Sequence, residues 1–285
     1  MRNKLAIIFL IVLFASPSAA DELTGTLKRI KKSGEIKIGY RASEPPMSFA
    51  DKDGNPAGYS IDICNGIVSE VESEIGSDVE VEYVEVTAEG RFEALRDKKI
   101  DILCGSTTKT LSRSALVDFT QMTFVTGASL MTLKDNKKLD SAGLAGTIIG
   151  VVQATTTEVI LRKLLQDTST DAEIMLFDSA DDGIQALREK KIDAFSSDQI
   201  VLIGIASKAP DSSAFVIRAD VFSFEPFALA VGRNDADFRL VADRVISDLY
   251  RSKEIFAIYD KWIGPYTRKR PPVFDAMVQL NATPE

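Results

Sequence analysis

Two hydrophobic rhythms alternate along the chain. Stretches with period-two or β-branched character, "IKIGY" (36–40), "DVEVEYVEV" (78–86) and "AEIMLF" (172–177), predict strands. Between them apolar residues fall at helical spacing, as Phe92 with Leu95 and Ile184 with Leu187. Further helices are predicted to begin near Ile61 and near Thr156, each after a polar loop. Strands that alternate with helices predict parallel sheets.

The pattern also repeats. Residues 94–103 read "ALRDKKIDIL" and residues 186–195 read "ALREKKIDAF", identical at seven of ten positions. In each copy a helix ends in a basic stretch (Lys98-Lys99; Lys190-Lys191) and a short apolar strand follows (Ile100 to Leu103; Ile192 to Phe195). A weaker echo links "IKIGYRAS" with "TIIGVVQATTTE". Each half therefore reads β-α-β-α-β, and two such halves predict two similar α/β lobes. One continuous doubly wound sheet with chance similarity is the alternative.

The amino terminus changes the picture of where the chain works. A short basic start, "MRNK", precedes the apolar run "LAIIFLIVLF" and then "ASPSAA". Ser18 and Ala20 stand at the small-residue cleavage positions, so residues 1–20 are expected to be a signal peptide cut before Asp21. The run falls short of the roughly 20 apolar residues of a spanning helix. A soluble, exported protein is expected. Cleavage would remove Arg2 and Lys4 and no acids, taking the net charge from −8 to −10. That acidity argues against nucleic acid or an anionic membrane as partner. A small anionic ligand stays possible, because a pocket can be basic inside an acidic protein.

An exported chain with only Cys64 and Cys104 invites a disulfide between them, with two buried thiols as the alternative. Two cysteines without any histidine make a poor zinc site. The missing histidine also removes the Ser-His-Asp and Cys-His routes to hydrolysis. No cofactor or metal is expected. "CGSTTKTLSR" (104–113) lacks the second glycine and the Gly-Lys-Ser/Thr of a phosphate loop.

In open parallel α/β sheets ligands bind beyond the carboxyl ends of the strands. The strand ending at Leu103 delivers Gly105, Ser106, Thr107 and Thr108. Its counterpart ending at Phe195 delivers Ser196, Ser197 and Asp198. The strand near Tyr40 delivers Arg41, and the one near Val152 delivers Thr155, Thr156 and Thr157. Arg113 follows at or near the start of the next helix, where its planar fork suits a carboxylate. N–H groups near Thr108 and Thr156, close to helix starts, would add donors. Asp198 would face them as the acceptor for a cation. An anion clamp opposite a cation cage describes a free α-amino acid. Arg41 and Arg91 would have partners in a second anionic group on the ligand; read singly, each is an ordinary surface arginine. The threonine run 155–157 with Glu158 also reads as a helix N-cap.

These residues resemble a known family. "IKIGYRASEPPMSFADKDGNPAGYSIDIC", "IDILCGSTTKTLSRSALVDFT", "GVVQATTTE", "IDAFSSD" and the closing "YDKWIG" are similar to family 3 solute-binding proteins of bacterial polar amino-acid uptake. "CGSTT" and the arginines of "GYR" and "EGR" are most similar to its glutamate/aspartate receptors. The resemblance implies a type II periplasmic binding protein. Its two lobes, each a mainly parallel sheet flanked by helices, would be joined by hinge strands near Thr120–Thr126 and Ser223–Leu229. The expected division is 21–122 and 226–285 for the first lobe and 123–225 for the second. The resemblance implies that Arg113 and the N–H groups of Thr108 and Thr156 hold an α-carboxylate. Asp198, Ser106 and Gly105 would hold an ammonium, and Arg41 and Arg91 a side-chain carboxylate. It implies a monomer that delivers an amino acid to an inner-membrane ABC permease. A broad-specificity or chemosensory receptor, or a dehydratase-type enzyme on the same fold, are the other readings. Glu44 stands where many relatives carry an aromatic ring and would repel an acidic ligand. No histidine is found near Ala180. The tail from Pro265, with "RKRPP", carries no reading.

Overall fold

The computed structural model describes residues 22–284 except 137, 140–142 and 268, so the expected signal segment lies outside the described residues. The first lobe opens with α1 (Gly25–Ser33), β1 (Glu35–Tyr40), β2 (Ser43–Glu44), β3 (Ser48–Ala50) and β4 (Pro56–Ala57). It continues through α2 (Tyr59–Ile75), β5 (Glu80–Glu85), α3 (Arg91–Arg96), β6 (Ile102–Cys104) and β7 (Asp118–Thr126). The second lobe holds β8 (Ala128–Leu133), β9 (Ile148–Val152), α4 (Thr156–Asp167), β10 (Glu173–Phe177), α5 (Ala180–Arg188), β11 (Ala194–Asp198), α6 (Gln199–Lys208) and β12 (Phe215–Ile217). β13 (Glu225–Val231), α7 (Ala236–Ser252), α8 (Ile255–Trp262) and α9 (Pro272–Asn281) return to the first.

Each lobe is built on a five-stranded sheet, in the order β5-β1-β6-β13-β7 and β10-β9-β11-β8-β12. β1 pairs in parallel with β5 and β6, and β9 with β10 and β11. This is the three-stranded parallel core that the alternating pattern predicts. The connecting strands add antiparallel pairs, β13 on β6 and β7 and β8 on β11 and β12. The parallel character is thus confined to the repeated part of each lobe. The chain leaves the first sheet after Thr126, past the expected boundary at 122, and re-enters it at Glu225.

The apolar faces explain the layering. Ile36, Ile38 and Ile102 of the sheet and Ile63, Ile67 and Val71 of α2 are buried in one core. Burial of such side chains gives on the order of 1.5–3 kcal/mol each. Gly76 ends α2 in the left-handed region at φ 71°, and its N–H returns to the Glu72 carbonyl. Cys64 in α2 and Cys104 at the end of β6 form a disulfide, and both are fully buried. It ties the helix to the strand that leads into "GSTT".

The tail is part of the first lobe. Phe274, Met277 and Val278 are buried on one face of α9, which packs on β7 and α7. The Phe274 ring lies 4.7 Å from Tyr259 and 5.5 Å from Phe124.

Candidate ligand-binding site

The carboxyl ends of β1, β6, β9 and β11 converge on one cleft between the lobes. Its narrow cavity, about 30 Å³, is lined by Arg41, Glu44, Arg91, Ser106, Thr107, Thr108 and Arg113 from the first lobe. The second lobe supplies Val152, Thr155, Thr156, Thr157, Ala180, Ser196, Ser197 and Asp198. All the residues singled out in the sequence are brought together except Gly105. Its carbonyl accepts the Ser60 hydroxyl at 2.9 Å behind the cavity.

Local structure sets each group. Thr155 caps α4 by accepting the Glu158 N–H at 3.1 Å, so Thr156 opens the helix with an N–H that has no intrahelical partner. Arg113 begins a single 3-10 turn, not a full helix, and its backbone N–H donates to Thr110 Oγ1. Its guanidinium is held over the site by the Thr108 carbonyl at 2.9 Å and reaches the Ala154 carbonyl of the other lobe at 3.5 Å. Ser196, Ser197 and Asp198 belong to β11 itself, which runs three residues beyond its expected end. Asp198 is the last strand residue before α6.

The electrostatics are unbalanced at two atoms. Arg91 is 3 % exposed and lies over the Phe92 ring at 4.5 Å. One terminal nitrogen donates to Ala154 O at 3.3 Å, while Nη1 is buried with no partner. Burial, with Arg113 and Arg41 nearby, brings its pKa down to about 9. On the facing lobe, Asp198 Oδ1 is buried and unpartnered too. Burial, then Glu225 and Glu44, push the Asp198 carboxyl well above the usual range, against the pull of Arg113. Burial also lowers Arg113, which Glu225 and Asp198 oppose. An uncompensated donor and an uncompensated acceptor thus face one cavity, each costly unless a ligand fills it.

Glu44 lines the cavity as its position beside the pocket led one to expect, but it is already engaged. Its Oε1 pairs with Arg41 Nη1 at 3.0 Å, and its Oε2 accepts the Ser106 hydroxyl. Glu225 escaped sequence reading. It is fully buried at the start of β13, accepting from Thr108 Oγ1 at 2.6 Å, Thr156 Oγ1 at 2.8 Å and Ser223 Oγ at 2.7 Å. One carboxylate therefore bonds a residue of each lobe from the second hinge. Nothing in the run "FSFEPFAL" marks it, because a lone glutamate between apolar residues is usually solvated.

The lobes meet outside the cavity as well. Gly204 of α6 lies against the Pro45-Pro46 turn after β2; a Cβ there would stand 2.2 Å from the Pro45 carbonyl oxygen. Lys208, at the end of the same helix, places its ammonium 2.9 Å from the centre of the Phe49 ring of β3. Among the described residues, no group of His, Cys, Asp and Glu could hold a metal ion, and no helix is long and apolar enough to cross a membrane.

Two α/β lobes that close on a charged cleft are the architecture of a solute-binding protein. Residues 36–265 match the model of the bacterial extracellular solute-binding proteins, family 3, and the chain belongs to that family. It is 34% identical over 262 residues to the L-glutamate/L-aspartate-binding protein of Pseudomonas aeruginosa, covering 91% of this chain and 86% of that one. The glutamate/aspartate import solute-binding protein of Salmonella typhimurium is 31% identical over 83% of this chain and 79% of its own length. Among solved structures, a mutant of ArgBP from T. maritima superposes with a TM-score of 0.74 at 25% identity, over 84% of this chain and 100% of that one.

Proposed function

We propose that this chain is an exported receptor that closes around an L-amino acid, glutamate or aspartate, and delivers it to an inner-membrane ABC permease. The observation that carries this reading is the pair of orphaned buried atoms, Arg91 Nη1 and Asp198 Oδ1, on opposite lobes of one cavity. A zwitterion with a distal acceptor would satisfy both. In this reading Arg113 and the N–H groups of Thr108 and Thr156 hold the α-carboxylate. Asp198 and Ser106 hold the ammonium. Arg91, with Arg41, faces the side-chain carboxylate. The names of the two glutamate/aspartate-binding relatives support the ligand, and the sequence of residues 1–20 supports export to the periplasm. The receptor acts as a monomer, binding and releasing its ligand without turnover.

Closure follows from linkage. A ligand that contacts both lobes shifts the hinge equilibrium by its differential affinity for the closed state. A thermal-shift series over the twenty amino acids tests the reading. At 100 times its dissociation constant a ligand stabilises the fold by about 2.7 kcal/mol. Shifts by glutamate and aspartate are expected; no shift by either sinks the proposal.

A further inference from the structure

The cavity has a second carboxylate that a purely acidic ligand does not need. Glu44 lines it beside Arg41, Arg91 and Ser106. Its two oxygens each hold one partner, Arg41 at 3.0 Å and the Ser106 hydroxyl. A carboxylate has about four lone-pair sites, so both oxygens keep room for another donor. Arg91 Nη1, in the same cavity, is a buried donor without an acceptor. Arg41 is directly paired with Glu44, whereas Arg91 bonds a carbonyl oxygen, lies over the Phe92 ring and feels Glu44 only at longer range, with no ion pair of its own among the described residues.

A free donor beside an available acceptor is the complement of a primary amide, which offers one C=O and one NH₂. A side-chain carboxylate uses only the donor, and it brings its own charge toward that of Glu44. Like charges at short range in a water-poor site are costly. We propose that Glu44 is the specificity-determining residue of this site and admits side-chain amides, glutamine above all, alongside side-chain carboxylates. The ligand's amide oxygen accepts from Arg91 Nη1, and its NH₂ donates to the Glu44 carboxylate. This rests on the amino-acid reading above and adds the class of side chain.

Calorimetry with the full mature chain tests it, using L-glutamate, L-glutamine and L-glutamate γ-methyl ester. The ester keeps the carbonyl and loses the N–H donors. Wild-type protein is expected to bind glutamine within about tenfold of glutamate, and at least about tenfold tighter than the ester. Glu44→Gln removes the charge at constant shape. It is expected to move the glutamate-over-glutamine preference at least about tenfold toward glutamate. A merely structural Glu44 would weaken both ligands alike. A smaller change in that preference, or an ester that binds as well as glutamine, overturns the assignment. If Glu44→Gln does not fold, the three wild-type affinities decide alone. Wild-type protein that binds none of the three, nor aspartate, overturns the receptor reading instead.

Discussion

The two copies of the "KKID" repeat share several backbone bonds of one scaffold and diverge most where the ligand would sit. Lys98 and Lys190 both take φ 57°, and each donates its N–H to the leucine carbonyl three residues back. Asp101 and Asp193 each accept a backbone N–H of the neighbouring strand, that of Lys37 and of Ile148, at 2.8 Å. Ile100 lies against Gly39 and Ile192 against Gly150, where a Cβ would stand 2.4 and 2.5 Å away. At the carboxyl ends of β6 and β11 the correspondence ends. Cys104, Gly105 and Ser106 stand where the other half has Ser196, Ser197 and Asp198. The identical residues build the frame, while at the strand tips one lobe carries Ser106 where the other carries Asp198.

That division explains what the sequence could reveal. The strands, the helices around Leu95 and Leu187 and the lobe pairing follow from local periodicity and the repeat, so they were legible. The strand-end rule then placed Arg41, Ser106, Thr108, Arg113, Thr156 and Asp198 on one cleft. Pairings between distant segments were not legible. Glu225 acquires its role from Thr108 and Thr156, and Gly204 from Pro45; neither partner is near in sequence. The Arg41–Glu44 pair was within reach at a separation of three, yet its cost to an acidic ligand depends on geometry. The tail had a helical signal in Phe274, Met277 and Val278, though "RKRPP" just before it reads as a break.

The largest effects should come from breaking the asymmetry between the strand tips. Arg113→Ala removes the cation that spans the lobes and should weaken every amino-acid ligand by at least about 100-fold in calorimetry. Full-strength glutamate binding by this variant would discard the assigned clamp. Asp198→Asn should cost binding on the same scale and yet stabilise the ligand-free protein. Burial raises the Asp198 pKa above its unfolded value. The folded state therefore holds more protons, and stability is lost as pH rises through the folded pKa. Urea midpoints should show wild type losing more stability over that rise than the variant does. Parallel curves would show that Asp198 titrates normally.

Closure without contact to the cavity comes next. Gly204→Ala puts a methyl group where the Pro45 carbonyl oxygen lies in the closed form. It should weaken ligands by roughly tenfold while leaving the open state unstrained. Small-angle scattering with saturating ligand should report a more open particle. Unchanged affinity would mean that the helix and the turn do not meet when the lobes close.

The repeated aspartates test the frame. Asp101 is 4 % exposed and bonds Arg29 as well as Lys37 N–H, so Asp101→Asn should cost about 1–3 kcal/mol. Asp193, paired with Lys138 at 2.8 Å nearer the surface, should cost about 1 kcal/mol when changed to Asn. Their pH dependences should have opposite signs. Burial raises the Asp101 pKa, so its contribution fades as pH rises through the folded value. For Asp193 burial pushes upward, but bonds from Lys138 and the Ile148 N–H prevail and the pKa is lowered. Its contribution is present above the unfolded pKa and fades as pH falls through the folded one. Unfolding curves of each variant against wild type at several acidic pH values should diverge in opposite directions. Divergence in the same direction would mean that the equivalent bonds do not sit in the different surroundings described.

The smallest effect probes the frame where both copies are most alike. A left-handed conformation costs a non-glycine residue about 1–2 kcal/mol. Glycine removes that strain and gives back about 0.5–1 kcal/mol as chain entropy. Lys98→Gly should therefore stabilise the protein by up to about 1 kcal/mol. Lys190→Gly should gain slightly less, because Lys190 also pairs with Asp135 at 2.6 Å. Both side chains of that pair are well exposed, which limits its worth to about 0–1 kcal/mol. Thermal melts at low and high salt separate the two contributions. The backbone gain should be indifferent to salt and equal in the two copies, whereas the difference between them should shrink as salt screens the pair. A gain at one lysine and a loss at the other in high salt would mean that the two helix ends are not equivalent, although they share φ 57°.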